Sequence, residues 1–210
     1  MSIVIKKYKR LVKELLFAHS ELEYVEEVLK EAHSDFELYY QAFCREKGVP
    51  LKELNEKNSK RIEEVYPKKE VKTDQDGTVQ IKKTEQDKQE HKIFQRMYRI
   101  VAKKLHPDKF ANQEQTSEVL EKIDAFKQAT NAYDKRNWAI FLDICEKYDI
   151  LPTRYEKITS LIRQEIINVE KKVDNKKLSF SWRLYECEED PACMDQVIEA
   201  FLYQLFRYQI

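Results

Sequence analysis

A histidine and an aspartate flank a proline in the stretch His106-Pro107-Asp108. Side chains of these types could act as an acid–base pair or as an exposed recognition element. Proline disfavours helical geometry in the residue before it, so we expect the preceding helix to end at His106 and the loop to be exposed. A proline-stiffened loop loses little entropy on docking, which suits recognition. We expect the proline to keep the two side chains from orienting one another, and no nucleophile accompanies them, so the sequence favours a binding site over a catalytic one.

A basic stripe precedes this loop. Lys92, Arg96, Arg99 and Lys103 follow one another at spacings of four, three and four, and no acidic residue lies between Lys92 and Leu105. A helix places these cations on one face, without a carboxylate partner one turn away inside the segment. The stripe therefore suggests an acidic partner surface. Taken alone, it is more typical of the solvated face of an ordinary amphipathic helix than of a binding surface.

The helix and loop together resemble a known family. The run from Tyr98 to Lys109 resembles helix II and the HPD loop of a J domain, and the run from Phe126 to Ala132-Tyr133 resembles the helix III pattern of that family. The resemblance implies an antiparallel helical finger with the loop at its tip, which binds an Hsp70 chaperone and stimulates its ATPase. It implies a finger core of Phe94, Tyr98, Val101, Phe126, Ala129 and Tyr133. The predicted Hsp70-binding residues are His106, Pro107, Asp108, Lys109, Arg96, Arg99, Lys103 and Lys104.

The resemblance covers residues 86–133, and the chain departs from the family around it. The helix I signature, an aromatic pair followed by Leu-Gly, is absent from residues 68–84, and no Gln-Lys-Arg motif of helix IV follows. The loop after Lys109 is longer than usual, which implies a third helix beginning near Ser117, with Ser117 as its N-cap. The chain thus resembles divergent J-domain proteins with extra flanking helices, of the kind seen in large DNA viruses and some bacteria.

The elements around the finger are predicted to be helices as well. Two glycines and five prolines among 210 residues, with 36% charged residues, favour an all-α fold. Residues 1–47 carry a coiled-coil heptad pattern that predicts one long helix, ended by Gly48-Val49-Pro50. The partner of this helix is either an antiparallel segment of the same chain or a second copy. The seam consists of Tyr8, Leu11, Leu15, Ala18, Leu22, Val25, Leu29, Ala32, Phe36, Tyr39 and Phe43.

Four segments follow from these patterns: the heptad helix 1–47, a short helix with a linker or hairpin at 48–84, the finger 85–135, and a C-terminal helical region 136–210 that packs on the first helix. Asp76-Gly77 favours a small β-hairpin at 70–82, with a mobile linker as the equal alternative. Further helices are predicted at 51–66, 86–105, 117–134, 137–148, 153–174 and 194–207, of which 153–174 is the best internal partner for the heptad helix. Residues 178–185 are aromatic and are expected to be a non-helical anchor for the last helix.

Composition and charge argue against several classes of function for this chain. The formal net charge is zero, so nucleic-acid binding through the basic stripe is a distant option. No signal peptide and no apolar run of membrane-spanning length are recognised, and membrane partners are not expected. The four cysteines form no Cys-x-x-Cys pair and are expected to be reduced thiols of a cytoplasmic protein, in the host cytoplasm if the source is viral. His19, His33 and His91 are expected at helix surfaces, and no metal or cofactor is predicted.

Two hypotheses of function remain. In the first, the chain is a co-chaperone whose finger activates an Hsp70 while the long helix and the C-terminal helices hold a client protein. In the second, it is a structural or assembly protein that forms homo-oligomers through its N-terminal heptads and retains a vestigial J-like domain. The first predicts stimulation of an Hsp70 ATPase, and the second predicts oligomers without that effect.

Overall fold

A computed structural model describes residues 2–65 and 85–210, with the side chains of residues 63–65 and 85–91 left aside. Every regular element in this part of the chain is a helix, which confirms the all-α prediction. The hairpin predicted at 70–82 lies outside the described residues. The helices are α1 (Ile3–Glu46), α2 (Leu51–Val65), α3 (Glu85–Leu105), α4 (Ser117–Asp134), α5 (Trp138–Lys147), α6 (Tyr155–Lys177), α7 (Phe180–Tyr185) and α8 (Pro191–Phe206).

Local chemistry sets where these helices begin and end. Gly48 follows α1 with a φ of 66°, a left-handed conformation in which glycine avoids the strain of a side chain. At the start of α4, the hydroxyl of Thr116 accepts a hydrogen bond from the backbone N–H of Val119. Thr116 is therefore the N-cap, and the prediction of Ser117 was wrong by one residue because either hydroxyl residue could serve.

The long helix α1 buries its heptad seam within the chain. Nine of the eleven seam residues are buried, and Leu22 and Tyr39 are half-buried. Val12 and Cys44, which lie beside the seam, are buried as well. Segments of the same chain therefore cover this face of the helix along its length.

The described residues group into two compact units. The first consists of Met1–Leu22 and Ile81–Lys171. Its core combines Tyr8 and Leu15 of α1 with Phe94 of α3, Phe141 of α5 and Ile158 of α6, none of which is more than 2% exposed. Helices far apart in sequence thus share one apolar core, in which burial of aromatic and aliphatic surface is the main stabilising contribution.

The second unit consists of Glu23–Gln80 and Lys172–Ile210. Phe36 of α1, Leu54 of α2 and Leu202 of α8 belong to its core. The aromatic segment expected to be non-helical contains α7, which begins where the hydroxyl of Ser179 accepts from the backbone N–H of Trp182. That expectation was wrong because an N-cap and tertiary packing outweigh the weak helix propensity of aromatic residues. The predicted packing against the last helix is confirmed, since the rings of Phe180 and Phe201 lie 5.2 Å apart.

Helix α6 lies beside α1, as predicted, but it runs parallel to α1, whereas the expected partner within the chain was an antiparallel segment. Within the first unit, the rings of Tyr8 and Tyr155 are 5.6 Å apart, and further along both helices Glu14 of α1 lines a groove together with Ile166 of α6. These contacts advance in the same direction along both helices, so α6 is parallel to α1 rather than antiparallel. The chain passes through α3, α4 and α5 and returns to the start of α1 before α6 begins.

Two of the four cysteines form a disulfide, which corrects the expectation that all are reduced. Cys187 and Cys193 are bonded across the turn between α7 and α8, with Cα atoms 5.6 Å apart. Glu188 and Glu189 in this turn have positive φ angles of 48° and 65°, and this reversal brings the two cysteines within bonding range. Spacing along the sequence did not reveal the reversal. Cys44 and Cys145 are buried free thiols.

Candidate functional site

The predicted recognition loop lies where α3 ends. Helix α3 ends at Leu105, and His106 has φ −59° and ψ 133°, outside the helical region. Pro107 to Lys109 form one turn of 3-10 helix, with the N–H of Phe110 donating to the carbonyl of Pro107 at 2.9 Å. The prediction that the proline ends the helix at His106 is therefore confirmed, and it rests on the steric restriction that proline imposes on the residue before it.

His106 and Asp108 approach one another, contrary to the expectation that the proline keeps them apart. The Nδ1 atom of His106 lies 3.3 Å from Oδ2 of Asp108 and also 3.3 Å from the backbone nitrogen of Asp108. A neutral ring with its lone pair on Nδ1 accepts from that N–H, whereas a protonated ring donates to the carboxylate. Each protonation state of the ring thus has a partner within Asp108. The tight 3-10 turn brings the two residues together.

The two side chains differ in what they present to solvent. The carboxylate side chain of Asp108 is 89% exposed, whereas that of His106 is 43% exposed. The ring of His106 packs edge-on against the ring of Phe126 in α4, with centroids 5.1 Å apart. Sequence reasoning placed Phe126 in the finger core but missed this contact. The loop thus combines an anchored imidazole with an open carboxylate that can accept hydrogen bonds from a basic partner.

Helices α3 and α4 form an antiparallel pair with this loop at its turn. The rings of Tyr98 and Tyr133 stack at 4.6 Å, and the hydroxyls of Tyr98 and Thr130 are 3.1 Å apart. From Tyr98 to His106 the chain advances along α3, while their ring partners step back along α4 from Tyr133 to Phe126. The contacts therefore fix the opposite direction of the two helices.

Small and apolar residues line the interface of this pair. Phe94, Val101 and Leu105 of α3 are buried, and Ala129 of α4 is fully buried. Alanine leaves room for the backbones to approach closely. Each of the six core residues predicted from the sequence is buried or half-buried, namely Phe94, Tyr98, Val101, Phe126, Ala129 and Tyr133.

The helix that follows holds this pair in place. The ring of Phe94 stacks on that of Trp138 in α5 with centroids 3.9 Å apart. Lys147 near the end of α5 forms an ion pair with Glu121 of α4, and the hydrogen bond from this lysine to Glu121 raises the pKa of Lys147. Helix α5 thus connects both α3 and α4 to the core.

The basic stripe is open to solvent. Lys92, Arg96, Arg99 and Lys103 are all exposed, and none forms an ion pair with another residue that the structure describes. Lys109 in the loop is exposed too. These cations can therefore pair with a partner without first breaking contacts within the described chain.

Lys104 differs from the other predicted site residues. Its ammonium donates to the carbonyl of Tyr148 at 3.0 Å and to that of Asp149 at 3.3 Å. These carbonyls lie just beyond α5, where a helix has unsatisfied acceptors and the negative end of its dipole. Lys104 therefore connects the end of α3 to the end of α5, a role that the sequence pattern did not reveal.

Comparisons with protein-family models, with curated proteins and with solved structures find no match for this chain. Among the described residues, no group of three His, Cys, Asp or Glu side chains is arranged to hold a metal ion. None of the described helices is both long and apolar enough to cross a membrane.

Proposed function

We propose that this chain is a J-domain-type co-chaperone, in which α3 and α4 form a J-like finger. Its loop of His106, Pro107 and Asp108 contacts an Hsp70 and stimulates the ATPase of that partner. The observation that carries the proposal is the exposed carboxylate of Asp108 at the turn of an antiparallel helix pair, beside a histidine ring held against Phe126. Such a loop offers a partner a pre-formed arrangement at little entropic cost.

Charge gives the proposal a second support. Arg96, Arg99 and Lys103 are exposed cations without an ion pair to another described residue. In the proposed complex they dock against acidic Hsp70 surface, which speeds encounter and makes binding sensitive to salt. Lys109 extends this surface into the loop. Lys104 contributes indirectly, because its ammonium is engaged at the end of α5.

The flanking helices take the place of the missing family elements in this proposal. Tyr8 and Leu15 of α1 and Ile158 of α6 share the core that holds Phe94 and Leu105 of α3. These helices support a J-like finger without a recognisable helix I or helix IV. In the cytoplasm, where we place the protein, the rest of the chain would be available to hold a client.

The alternative of a heptad-driven assembly protein has less support. Its oligomers need an exposed apolar seam on α1, and the same chain covers that seam, with Leu15 and Val25 fully buried. No observation on the finger favours a vestigial role, since its loop and basic face are exposed. We therefore retain the co-chaperone as the proposed function.

A single-turnover ATPase experiment tests it. ATP-loaded Hsp70s from bacterial and eukaryotic cytoplasm are mixed with wild-type chain, and the rate of hydrolysis is compared with that of each Hsp70 alone. We expect acceleration with at least one Hsp70, and we expect Asp108→Asn to return the rate to that of Hsp70 alone, because the amide removes the charge that strengthens its hydrogen bonds.

The matched control is Asp143→Asn, which makes the same chemical change at an exposed position on α5. It should stimulate like the wild type. Circular dichroism melting of both variants checks that the fold is intact. If no Hsp70 is accelerated by the wild type, or if Asp108→Asn stimulates as well as Asp143→Asn does, the proposal is wrong.

A further inference from the structure

A groove with an apolar floor and a basic rim lies between α1 and α6 in the first unit. It encloses about 320 Å³ and is lined by Lys7, Arg10, Leu11, Glu14, Arg163, Ile166 and Ile167. The volume suits a few apolar side chains of a bound segment and is at the low end for a small-molecule site. The groove belongs to neither the finger nor its loop.

The apolar surface of the groove continues beyond its floor. Ile167 is 44% exposed on α6, and Val4 is 48% exposed one helical turn before Lys7 on α1. Ile3, which lies on the same side of the helix one turn before Lys7, is 83% exposed. Neighbouring exposed aliphatic side chains around a concave site are typical of an interaction surface rather than of scattered surface residues.

Charge indicates the partner that fits. Arg10 is hydrogen-bonded to Glu14 at 2.7 Å, so these two charges compensate one another. Lys7 and Arg163 are exposed and form no ion pair with another described residue, which leaves an excess of positive charge at the rim. A ligand that matches this groove carries aliphatic side chains for the floor and carboxylates for the rim.

We propose that the groove between α1 and α6 docks an acidic, aliphatic peptide segment of a partner protein. An anionic membrane shares this chemistry, but a concave groove fits discrete side chains better than a flat lipid surface does. The inference goes beyond the proposed function and stands without it, because it involves no residue of the finger.

The test titrates ¹⁵N-labelled full-length chain with the acetylated peptide Glu-Leu-Leu-Glu-Glu-Leu-Leu-Glu and follows amide shifts by NMR. We expect shifts clustered on Lys7–Glu14 and Arg163–Ile167. Two control peptides replace either every leucine by serine or every glutamate by lysine, and neither should give clustered shifts. Loss of a charge-assisted hydrogen bond corresponds to about tenfold in affinity, so Arg163→Glu should weaken binding at least that much.

The matched control variant is Lys157→Glu, the same charge reversal at an exposed position on α6 outside the groove. It should bind within about twofold of the wild type, since it removes only long-range attraction that salt screens.

The proposal is overturned by the absence of shifts at millimolar peptide, by equal binding of the serine peptide, or by an equal effect of Lys157→Glu. Binding to phosphatidylglycerol vesicles without binding to the peptide overturns it in favour of a membrane. The Arg163→Glu variant should stimulate the Hsp70 ATPase as the wild type does. Peptide binding therefore tests the groove, and ATPase stimulation separately tests the co-chaperone proposal.

Discussion

At the scale of single residues, the loop at 106–108 holds the ring of His106 in place and leaves the carboxylate of Asp108 exposed to solvent. Proline ends the helix, a 3-10 turn brings Asp108 back to the ring of His106, and Phe126 supports that ring. The sequence predicted the end of the helix, because the effect of proline on its neighbour is local. It did not predict the approach of the two side chains or the role of Phe126, since these depend on the turn and on a helix twenty residues further along.

Lys104 allows a prediction that separates a supporting residue from a binding residue. Lys104→Met removes two hydrogen bonds to carbonyls at the end of α5 and should lower the free energy of unfolding by about 1 kcal/mol. Lys103→Met, one position earlier, should cost at most about 0.5 kcal/mol, because its side chain is exposed without a described ion pair. Urea unfolding followed by circular dichroism measures both.

The same two variants should rank in the opposite order in binding. Lys103→Met should lower the affinity for an Hsp70 more than Lys104→Met does. Bio-layer interferometry, at temperatures where both variants are folded, measures the two affinities. Equal losses of stability for the two variants would show that the bonds of Lys104 to α5 contribute nothing to the fold.

At the scale of elements, helix positions were largely predictable and helix partners were not. The long heptad of α1 and the breaks at Gly48 and Pro107 are local signals, and the helices begin and end within a few residues of the predicted positions. The periodicity of α6 also indicated that it packs on α1. The parallel orientation could not be predicted, because an apolar stripe has the same spacing in either direction. Helix α7 was missed because six residues are too few for a periodic signal.

The turn between α7 and α8 carries the prediction at the scale of elements. Non-reduced, denatured protein should take up two alkylating groups, at Cys44 and Cys145, and reduced protein should take up four, as counted by mass spectrometry. Closing this short loop should contribute about 2 kcal/mol to stability by restricting the unfolded chain. Addition of reductant should therefore lower the melting temperature of the wild type.

The control for this prediction is the double variant Cys187→Ser/Cys193→Ser, whose melting temperature should not respond to reductant. Four alkylated cysteines in the non-reduced protein would contradict the disulfide. Because disulfides are rare in the cytoplasm, the alkylation is done at the moment the source cells are lysed.

At the scale of the whole molecule, the described chain forms two units that each combine distant segments. The sequence divided the chain in order, into segments 1–47, 48–84, 85–135 and 136–210, whereas spatial contacts group Met1–Leu22 with Ile81–Lys171. Patterns along a sequence report local structure, and the grouping of distant segments depends on which apolar faces meet. The candidate site was predictable because it lies within one continuous stretch, whereas the groove between α1 and α6 joins residues about 150 positions apart.

Buried and half-buried tyrosines in the two units predict unfolding at alkaline pH. Burial, and then the hydrogen bond to Asp195, raise the pKa of Tyr39 to about 12, and burial raises that of Tyr40 to about 12. Burial also raises the pKa of Tyr8 in the first unit. An unfolded tyrosine has a pKa near 10, so these groups favour the folded state fully below about pH 10, and this contribution is lost as the pH rises towards 12.

Absorbance of phenolate near 295 nm and helical circular dichroism, recorded together from pH 8 to 13, check this expectation. Tyr8, Tyr39 and Tyr40 should ionise late and together with the loss of helix, and Tyr39→Phe should remove part of the loss of stability in this pH range. Ionisation of all twelve tyrosines near pH 10 with the helices retained would contradict the burial of these side chains.

The central claim is that the loop of His106, Pro107 and Asp108 activates an Hsp70, and the most direct measurement is the single-turnover hydrolysis rate with His106→Gln. This substitution keeps the proline, the carboxylate and the net charge, and it removes only the imidazole held between Asp108 and Phe126. With an Hsp70 that the wild type stimulates, we predict a rate equal to that of Hsp70 alone, from a variant with unchanged circular dichroism. A rate equal to that of the wild type would contradict the claim.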